Sequence, residues 1–267
     1  MKQEFSGKVA LVTGASVGIG RATAILLAQK GAKTILLDIN YEKLQDVKEE
    51  ISVYNNDVLI YKCDVSDESN VNSTVLDAIE KFGKIDIVVN NAALWRNFEP
   101  FEETSTEKWH TFFNINVFGT VFVSKAVIPY MKNNNYGRII NIGSVAGVYG
   151  NRNMAMYSAT KGAIISFTKA IAKELAPNNI LVNCVSPGTV SNSDNPDITF
   201  TAPSDASYLR RTGSDIENAN LICFLASDKN GYISGENILI DGCRKNIWAC
   251  PLLLKHSSVT LDSIIHP

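Results

Sequence analysis

A tyrosine and a lysine one helical turn apart are the side chains of this sequence best suited to acid–base chemistry. Tyr157 and Lys161 stand in the run YSATK, inside a segment whose apolar residues recur at helical spacing, so the two share a helix face. A free phenol has a pKa of about 10 and is a poor base near neutral pH. A neighbouring ammonium favours the phenolate, so we expect Lys161 to lower the pKa of Tyr157. The pair predicts proton transfer at a substrate oxygen.

A serine is predicted to join this pair. Ser144 directly follows a strand pattern at 137–143 and can bring a hydroxyl to the same place. A tyrosine and a lysine at this spacing are common on surface helices, where they have only a structural role. A strand-end serine together with the glycine-rich turn described next favours a catalytic site instead.

The glycine-rich turn TGASVGIG, at 13–20, follows the first strand pattern and opens the first helical pattern. Glycines let the backbone turn sharply and approach a pyrophosphate, which then faces the helix N-terminus. This context is that of the Rossmann dinucleotide fingerprint, although such a turn can also simply close a strand–helix corner. The predicted cofactor-binding residues of the turn are Gly14, Ser16, Val17, Gly18, Ile19 and Gly20.

An aspartate at the end of the second strand pattern bears on the choice of cofactor. Asp38 can accept hydrogen bonds from both hydroxyls of an adenosine ribose, and its charge repels a 2′-phosphate. Its neighbours Ile39 and Asn40 are not basic, so nothing obvious would hold that phosphate. NAD(H) is therefore favoured over NADP(H). The alternative is an aspartate that only starts the next turn.

Two further strand ends complete the predicted cofactor site. Asp64-Val65 ends the third strand pattern and Asn90-Asn91 the fourth. In open parallel sheets, ligands bind at the carboxyl ends of the strands. Asp64, Val65 and Asn91 are therefore expected to line the dinucleotide site, although either pair alone is also ordinary turn chemistry.

Seven short apolar runs alternate with helical patterns along the chain. The predicted strands lie at 8–13, 33–37, 57–61, 86–90, 137–143, 180–185 and 237–240, and the helices lie near 18–30, 41–54, 67–82, 104–133, 154–176 and 214–227. Capping boxes at 104–107 and 214–217 are predicted to begin two of the helices. The alternation predicts an α/β fold in a single domain, with a doubly wound parallel sheet and helices on both faces.

Composition narrows the class of protein. The chain has 267 residues, 45% of them hydrophobic, and a net charge of −2, which fits a globular protein without the basic face that nucleic acids require. No run of about 20 apolar residues and no signal-peptide core is seen, so we expect no membrane span. Five scattered cysteines indicate reduced thiols and a cytoplasmic location. No cysteines and histidines are spaced for a metal ion, so no metal site is predicted.

Taken in order along the chain, these motifs resemble those of the short-chain dehydrogenase/reductase family. The resemblance covers residues 5–243 and rests on TGASVGIG, Asp38, Asp64-Val65, NNAA at 90–93, Asn116 in NVFG, Ser144, YSATK and Pro187-Gly188. It implies a Rossmann-type sheet of seven strands in the order 3-2-1-4-5-6-7. It also implies an NAD-binding domain over 1–243, a tail over 244–267, and a homo-oligomer, usually a tetramer, or a dimer.

The resemblance implies a role for each matching residue. Tyr157 exchanges a proton with the oxygen of an alcohol or carbonyl substrate, and Ser144 hydrogen-bonds that oxygen. Lys161 holds the nicotinamide ribose together with Tyr157. Asn116 orients a water that links Lys161 to solvent, unless it is only a polar residue that kinks its helix. Cofactor contacts are also expected at two positions after the sixth strand, Val190 and Asn192.

Several positions depart from the family's pattern. Ala93 and Asn192 replace a glycine and a threonine near the nicotinamide, and we expect the cofactor to bind nevertheless. Gly143 replaces a serine before Ser144, and we expect this to loosen the turn. The tail beyond Cys243 is longer than usual and holds Trp248 and three leucines. These side chains are costly to expose, so we expect the tail to pack on a neighbouring subunit or over the cleft.

The activity implied is an NAD(H)-dependent interconversion of a secondary alcohol and a ketone. The expected substrate pocket consists of Leu94, Trp95, Val145, Tyr149, Asn151, Met154 and the loop at 191–208. These mostly apolar groups suit a bulky alcohol such as a hydroxysteroid. A sugar or polyol and a 3-oxoacyl compound are the alternatives, and Arg96 and Arg152 can receive a carboxylate.

Two other classes of function are weighed against this one. A sugar-nucleotide epimerase or dehydratase needs a larger C-terminal domain than the residues after Pro187 provide. A non-catalytic NAD(H)-sensing protein is the second, because a fold does not determine a function. Such a protein would be expected to have lost Tyr157, Lys161 or Ser144, and all three are present.

Overall fold

One parallel sheet runs through the computed structural model, which describes residues 3–96, 98–191 and 195–245. Its strands are β1 (Val9–Thr13), β2 (Lys33–Asp38), β3 (Val58–Lys62), β4 (Ile87–Asn90), β5 (Gly137–Ile142), β6 (Ile180–Pro187) and β7 (Asn237–Ile240). Their order is β3-β2-β1-β4-β5-β6-β7, and every pairing is parallel. The predicted fold class and strand order are confirmed.

The inner strand β1 shows why these runs are apolar throughout. Ala10 and Val12 face one hydrophobic core, while Val9 and Leu11 face a second core on the opposite side of the sheet. Side chains alternate between the two faces of a strand, so a strand covered on both faces needs apolar residues at every position. This apolar run therefore supplies side chains to both cores.

Eight α-helices connect these strands in the described part of the chain. They are α1 (Gly18–Gln29), α2 (Tyr41–Ser52), α3 (Glu68–Phe82), α4 (Thr106–Phe113), α5 (Gly119–Asn133), α6 (Val145–Tyr149), α7 (Ala155–Leu175) and α8 (Asp215–Ala226). The predicted helices are found within a few residues of these bounds. The short helix α6 was not predicted, because five residues are too few to show a helical period.

The two predicted capping boxes have different outcomes. Ser214 caps α8 with a complete box that includes Glu217, as expected. The box expected at 104–107 is wrong, because the Thr104 hydroxyl instead donates to the carbonyl of Phe101 over 2.7 Å. A short 3₁₀ turn ends there, and Ser105 caps α4 by accepting from the Lys108 N–H. The helix therefore begins one residue later than the pattern suggested.

Helices α4 and α5 are joined by a π-helical turn, Asn114–Phe118, into one helix spanning Thr106–Asn133. By length and composition, this is the one described helix that could cross a membrane. Its residues Val123, Val127 and Met131 are fully buried in the core beneath the sheet. The helix is a core helix of the α/β domain.

Among the cysteines that the structure describes, Cys63, Cys184 and Cys223 are buried free thiols and Cys243 is an exposed one. Cys250 lies outside the described residues, as do Trp248 and the leucines of the predicted tail. Within the described ranges, no three side chains of His, Cys, Asp or Glu are grouped to hold a metal ion.

Candidate active site

A cleft of about 770 Å³ opens at the carboxyl edge of the sheet. Its walls come from the segments that follow β1 to β6, where the polar strand ends predicted from the sequence converge. Parallel strands bring these ends to one edge, so residues far apart in sequence meet there.

The glycine-rich turn forms one end of this cleft. Gly14 and Gly18 have φ angles of 61° and 58°, which side chains rarely adopt. A Cβ atom on Gly14 would lie 2.8 Å from the Cα atom of Ala92, and one on Gly20 would collide with the carbonyl oxygen of Gly14. The turn thus needs glycine for its conformation and for its close approach to the segment after β4. It presents bare backbone at the N-terminus of α1, as a bound pyrophosphate requires.

Asn91 fixes this turn from the neighbouring strand. Its side-chain amide donates to the carbonyl oxygens of Thr13 and Gly14, each over 3.0 Å. Its own N–H donates to the Thr13 hydroxyl, also over 3.0 Å. Asn91 lines the cleft as predicted, and its contacts show that it holds the turn in shape.

Asp38 lies beside the turn with its carboxylate oriented by two backbone groups. The N–H of Ser16 donates to Oδ2 over 3.1 Å, and the N–H of Asn40 donates to Oδ1 over 3.0 Å. Asp64 and Val65 line the same end of the cleft, together with Ile39. No lysine or arginine lines this end among the described residues, so the local charge is negative.

Ser144, Tyr157 and Lys161 meet at the other end of the cleft. Ser144 caps α6 and accepts from the N–H of Ala146 over 3.1 Å, so its own hydroxyl hydrogen can be donated to Tyr157 or to a substrate. The ammonium nitrogen of Lys161 lies 5.7 Å from the centre of the Tyr157 ring. The three side chains that the sequence selected from different elements are therefore neighbours.

The pKa of Tyr157 differs from the expectation. Burial raises it above its ordinary value, and a hydrogen bond with Ser144 only partly opposes the rise. Burial therefore outweighs the lowering expected from Lys161, whose ammonium group donates to the carbonyl oxygen of Ile142 over 2.6 Å. Burial also lowers the pKa of Lys161 to about 8, because the charged form is poorly solvated there.

Asn116 lies in the π-helical turn and is almost fully buried. Its Oδ1 accepts from the N–H of Leu94 over 2.7 Å, and its Nδ2 donates to the Leu94 carbonyl over 2.9 Å and to the Thr160 hydroxyl over 3.1 Å. These bonds tie the cleft wall after β4 to the helix that carries Tyr157 and Lys161. The amide is engaged by protein groups, which favours a positioning role for Asn116, and its role in a water relay stays a prediction.

Gly143 lies against side chains of strand β6, and its predicted loosening of the turn stays a prediction. A Cβ atom there would lie 2.5 Å from the Ser186 hydroxyl oxygen and 2.7 Å from the Cys184 sulfur. The Ser186 and Cys184 side chains of β6 therefore fill this space and would have to shift to admit a side chain at position 143.

Most of the predicted substrate pocket is found in the cleft wall. Leu94, Trp95, Val145, Asn151 and Met154 line it, whereas Tyr149 does not and is half exposed. Among the described residues of the loop at 191–208, Ser191 lines the cleft. Val190, which directly precedes this loop, lines it as well. Asn192 lies outside the described residues.

Sequence reasoning missed several residues of the wall. These are Phe98, Ile115, Thr189, Asp215 and Arg244. Arg96 and Arg152, expected to receive a carboxylate, are exposed and are not part of the wall. Arg244 sits there instead, brought from the chain after β7, and no motif pointed to it.

Comparison with known proteins decides the family. The family model described as short chain dehydrogenase matches residues 8–199. The chain belongs to this family. It is accordingly an oxidoreductase of the short-chain dehydrogenase/reductase type, as its motifs and its sheet indicate.

Relatives within the family agree over nearly the whole chain. A 3-oxoacyl-(acyl-carrier-protein) reductase of Thermotoga maritima is 39% identical over 241 residues, which are 89% of this chain and 98% of the relative. The crystal structure of an NAD⁺-bound xylitol dehydrogenase is 36% identical with a TM-score of 0.84, and the match covers 90% of this chain and 100% of that one. A 3-ketoacyl-(acyl-carrier-protein) reductase of Brucella melitensis in complex with NADH is 31% identical with a TM-score of 0.82, covering 89% and 98%.

Proposed function

We propose that this short-chain dehydrogenase interconverts a secondary alcohol and a ketone with NAD(H) as its cofactor. The observation that supports this best is the layout of one cleft. A glycine cradle and Asp38 lie at one end, and Ser144, Tyr157 and Lys161 lie at the other. A dinucleotide held by the first group would extend towards the second.

The cofactor contacts we propose follow this layout. Backbone groups from Ser16 to Gly20 would bind the pyrophosphate at the N-terminus of α1, and Asp64 and Val65 would lie beside the adenine. Asp38 would accept the ribose hydroxyls, and its charge would repel the extra phosphate of NADP(H). The NAD⁺-bound and NADH-bound neighbours support the choice of NAD(H).

The proposed chemistry divides between cofactor and protein. The nicotinamide, when bound, supplies or accepts a hydride at carbon. Tyr157 would donate a proton to the carbonyl oxygen during reduction and take it back during oxidation. Ser144 would hydrogen-bond that same oxygen and stabilise its developing charge. Lys161 would place a positive charge beneath the tyrosine and bind the nicotinamide ribose.

For the substrate, we favour a 3-oxoacyl compound and the corresponding 3-hydroxyacyl compound. The reductases from Thermotoga maritima and Brucella melitensis support this class. The apolar wall of Leu94, Trp95 and Phe98 suits an acyl chain better than a polyol such as xylitol. The relatives described above do not support a hydroxysteroid, which the sequence analysis placed first.

The remaining properties belong to the same proposal. We infer a cytoplasmic homo-oligomer, a tetramer or a dimer, with no membrane or nucleic-acid partner. We also infer an NAD-binding domain over 1–243 and a tail over 244–267 that packs on a neighbouring subunit or over the cleft. Light scattering of the chain truncated after Lys245 tests the tail. If the tail packs on a neighbouring subunit, the truncated chain should form assemblies with fewer subunits than the full chain.

A substrate panel tests the proposed activity. NADH oxidation is followed with 3-oxoacyl thioesters, 3-oxo acids and their esters, a 3-ketosteroid and xylulose. Turnover of the 3-oxo compounds supports the proposal. NADH binding without turnover of any compound would favour the non-catalytic NAD(H)-sensing function instead.

A further inference from the structure

Arg244 brings a positive charge to the substrate end of the cleft. The residue is half-buried, and its Nη2 atom donates to the side-chain oxygen of Asn151 over 3.0 Å. The other cation in the described cleft wall is Lys161, whose ammonium group donates a hydrogen bond to the Ile142 carbonyl. Arg244 is thus the cation that a substrate in this cleft can reach.

The fold fixes this position through an unusual turn after β7. Gly242 and Cys243 both have left-handed backbones, with φ angles of 64° and 59°. A left-handed cysteine costs about 1 kcal/mol, so the surrounding structure must hold it. Two backbone bonds do so: Tyr208 N–H donates to the Cys243 carbonyl over 2.9 Å, and Lys245 N–H donates to the Ala206 carbonyl over 3.0 Å. The chain is folded back over the edge of the sheet, and Arg244 enters the cleft.

Asn151 places the guanidinium group near the reactive residues. Its backbone N–H donates to the hydroxyl of Ser158 over 3.2 Å, and Ser158 is next to Tyr157 in α7. Its side-chain nitrogen contacts the sulfur of Met154, another residue of the cleft wall. Since Asn151 is fixed on both sides, it holds Arg244 at the substrate end and away from the nucleotide end.

No carboxylate of the described residues is ion-paired with Arg244. Asp241 and Arg244 both line a second, smaller pocket. The Asp241 carboxylate there accepts from the N–H of Cys243 over 3.0 Å. A guanidinium carries five N–H donors in a planar fork, and a neutral amide occupies only one of them here. An oxyanion can occupy two of the others side by side, and the apolar wall around it would strengthen that bond.

We propose that the substrate carries a carboxylate that Arg244 binds, with Asn151 orienting the guanidinium group. This inference rests on the proposed function and specifies its substrate class. The 3-oxoacyl compound is a free 3-oxo acid, and the product is a 3-hydroxy acid. Arg244 lies outside the motifs shared with the family, so it would act as a specificity-determining residue for this chain.

Matched acids and esters test the assignment. The values of kcat/KM with NADH are compared for acetoacetate and methyl acetoacetate, and for 3-oxohexanoate and its methyl ester. We expect the acids to be preferred, and Arg244→Gln to reduce the acid-to-ester ratio by about 10- to 100-fold, the range of a charge-assisted hydrogen bond. Arg152→Gln is the control, because it removes an equal charge beside Asn151 from a side chain outside the cleft wall. Its ratio should stay within about twofold of the wild type.

A phosphate is the other anion of related substrates, and a second pair of compounds distinguishes it. Acetoacetyl-coenzyme A carries phosphates, whereas the acetoacetyl thioester of N-acetylcysteamine is neutral. If Arg244→Gln weakens turnover of the coenzyme A thioester selectively and leaves the acid-to-ester ratio unaltered, the carboxylate proposal is overturned in favour of a phosphate.

Binding separates this inference from the proposed function. Quenching of NADH fluorescence gives the Kd of acetoacetate for the enzyme–NADH complex without any turnover. Acetoacetate binding that Arg244→Gln weakens supports the inference even if no compound is reduced, in which case the proposed function fails alone. Equal turnover of acids and esters, or no acetoacetate binding, overturns the inference. The proposed redox activity is then judged separately, by whether the thioesters are reduced.

Discussion

The ammonium nitrogen of Lys161 lies 2.6 Å from the main-chain carbonyl oxygen of Ile142, the last residue of β5. This bond places a buried positive charge between the central sheet and the helix that carries Tyr157. The lysine is therefore held beneath the tyrosine by the sheet and not by an acidic side chain. Because no carboxylate of the described residues compensates its burial, the ammonium group is poorly solvated and its pKa is lowered to about 8.

The buried charge has a consequence for stability at different pH values. An unfolded lysine has a pKa of about 10.4, so the folded chain binds fewer protons than the unfolded chain between about pH 8 and pH 10. The stability contributed by Lys161 must therefore increase as the pH rises through this range. Lys161→Met removes this pH dependence. The free energy of unfolding of the variant, relative to that of the wild type, should therefore be largest at pH 7 and should fall by roughly 2–3 kcal/mol by pH 10.

Thermal unfolding of both proteins at pH 7, 8, 9 and 10 measures this difference. Groups that do not interact with Lys161 titrate equally in the two chains and cancel when the two curves are subtracted, and the folded Cys184 thiol beside it, with a pKa of about 11, stays mostly protonated up to pH 10. A difference that does not vary with pH would show that Lys161 is not destabilised by burial.

The carboxylate of Asp38 is predicted to select NAD(H). Asp38→Ala removes the negative charge facing the ribose, so we expect the preference for NADH over NADPH to decrease by about 10-fold or more, since one unfavourable charge contact costs at least about 1.4 kcal/mol. Asp38→Asn is the matched variant, because it loses the charge and keeps an oxygen for the N–H of Ser16 or Asn40. Ratios of kcat/KM for the two cofactors, equal in all three proteins, would contradict this role.

Gly143 is predicted to be essential for packing. Gly143→Ala places a methyl group against Ser186 and Cys184, and we expect it to lower the free energy of unfolding by about 1–3 kcal/mol. Gly231→Ala is the control, because a Cβ atom at Gly231 meets nothing within 4 Å. Denaturant unfolding of both variants checks the difference. Equal stability of the two would show that β5 and β6 can separate to admit a side chain.

Asn116 is predicted to act by positioning. Asn116→Ala leaves the backbone groups of Leu94 and the Thr160 hydroxyl without their partner, so we expect a loss of stability of about 2–3 kcal/mol. Because the cleft wall would also shift, KM for the ketone should rise more than kcat falls. A lower kcat with an unchanged KM and an altered pH profile would instead support the predicted proton relay.

The sequence predicted those parts of the protein that depend on local pattern. Strand ends, the glycine turn and the pair of Tyr157 and Lys161 follow from periodicity and spacing, and the parallel sheet then brings them to one edge. The lowering of the Tyr157 pKa was predicted wrongly, because spacing along a helix does not reveal how deeply the phenol is buried. Contacts across the fold were equally hidden, as Gly143 shows against Ser186.

Arg244 marks the limit of sequence reasoning most clearly. Arg96 and Arg152 were chosen because they lie near the pocket in sequence, and both are exposed. Arg244 reaches the cleft through a left-handed turn at Cys243, a residue type that rarely adopts such a backbone. Neither the residue type nor the sequence position of Arg244 places it in the cleft, so only the tertiary structure reveals the cation.

The central claim is that Tyr157 exchanges the proton during an NAD(H)-dependent redox reaction at a carbonyl. The most direct test is NADH oxidation by the wild type and by Tyr157→Phe on the best 3-oxo substrate, with NADH binding measured by fluorescence in both. We predict that the variant binds NADH and loses at least about 100-fold in kcat, the contribution of a positioned acid–base group. A variant that binds NADH and retains turnover near the wild-type rate would contradict the assignment of Tyr157.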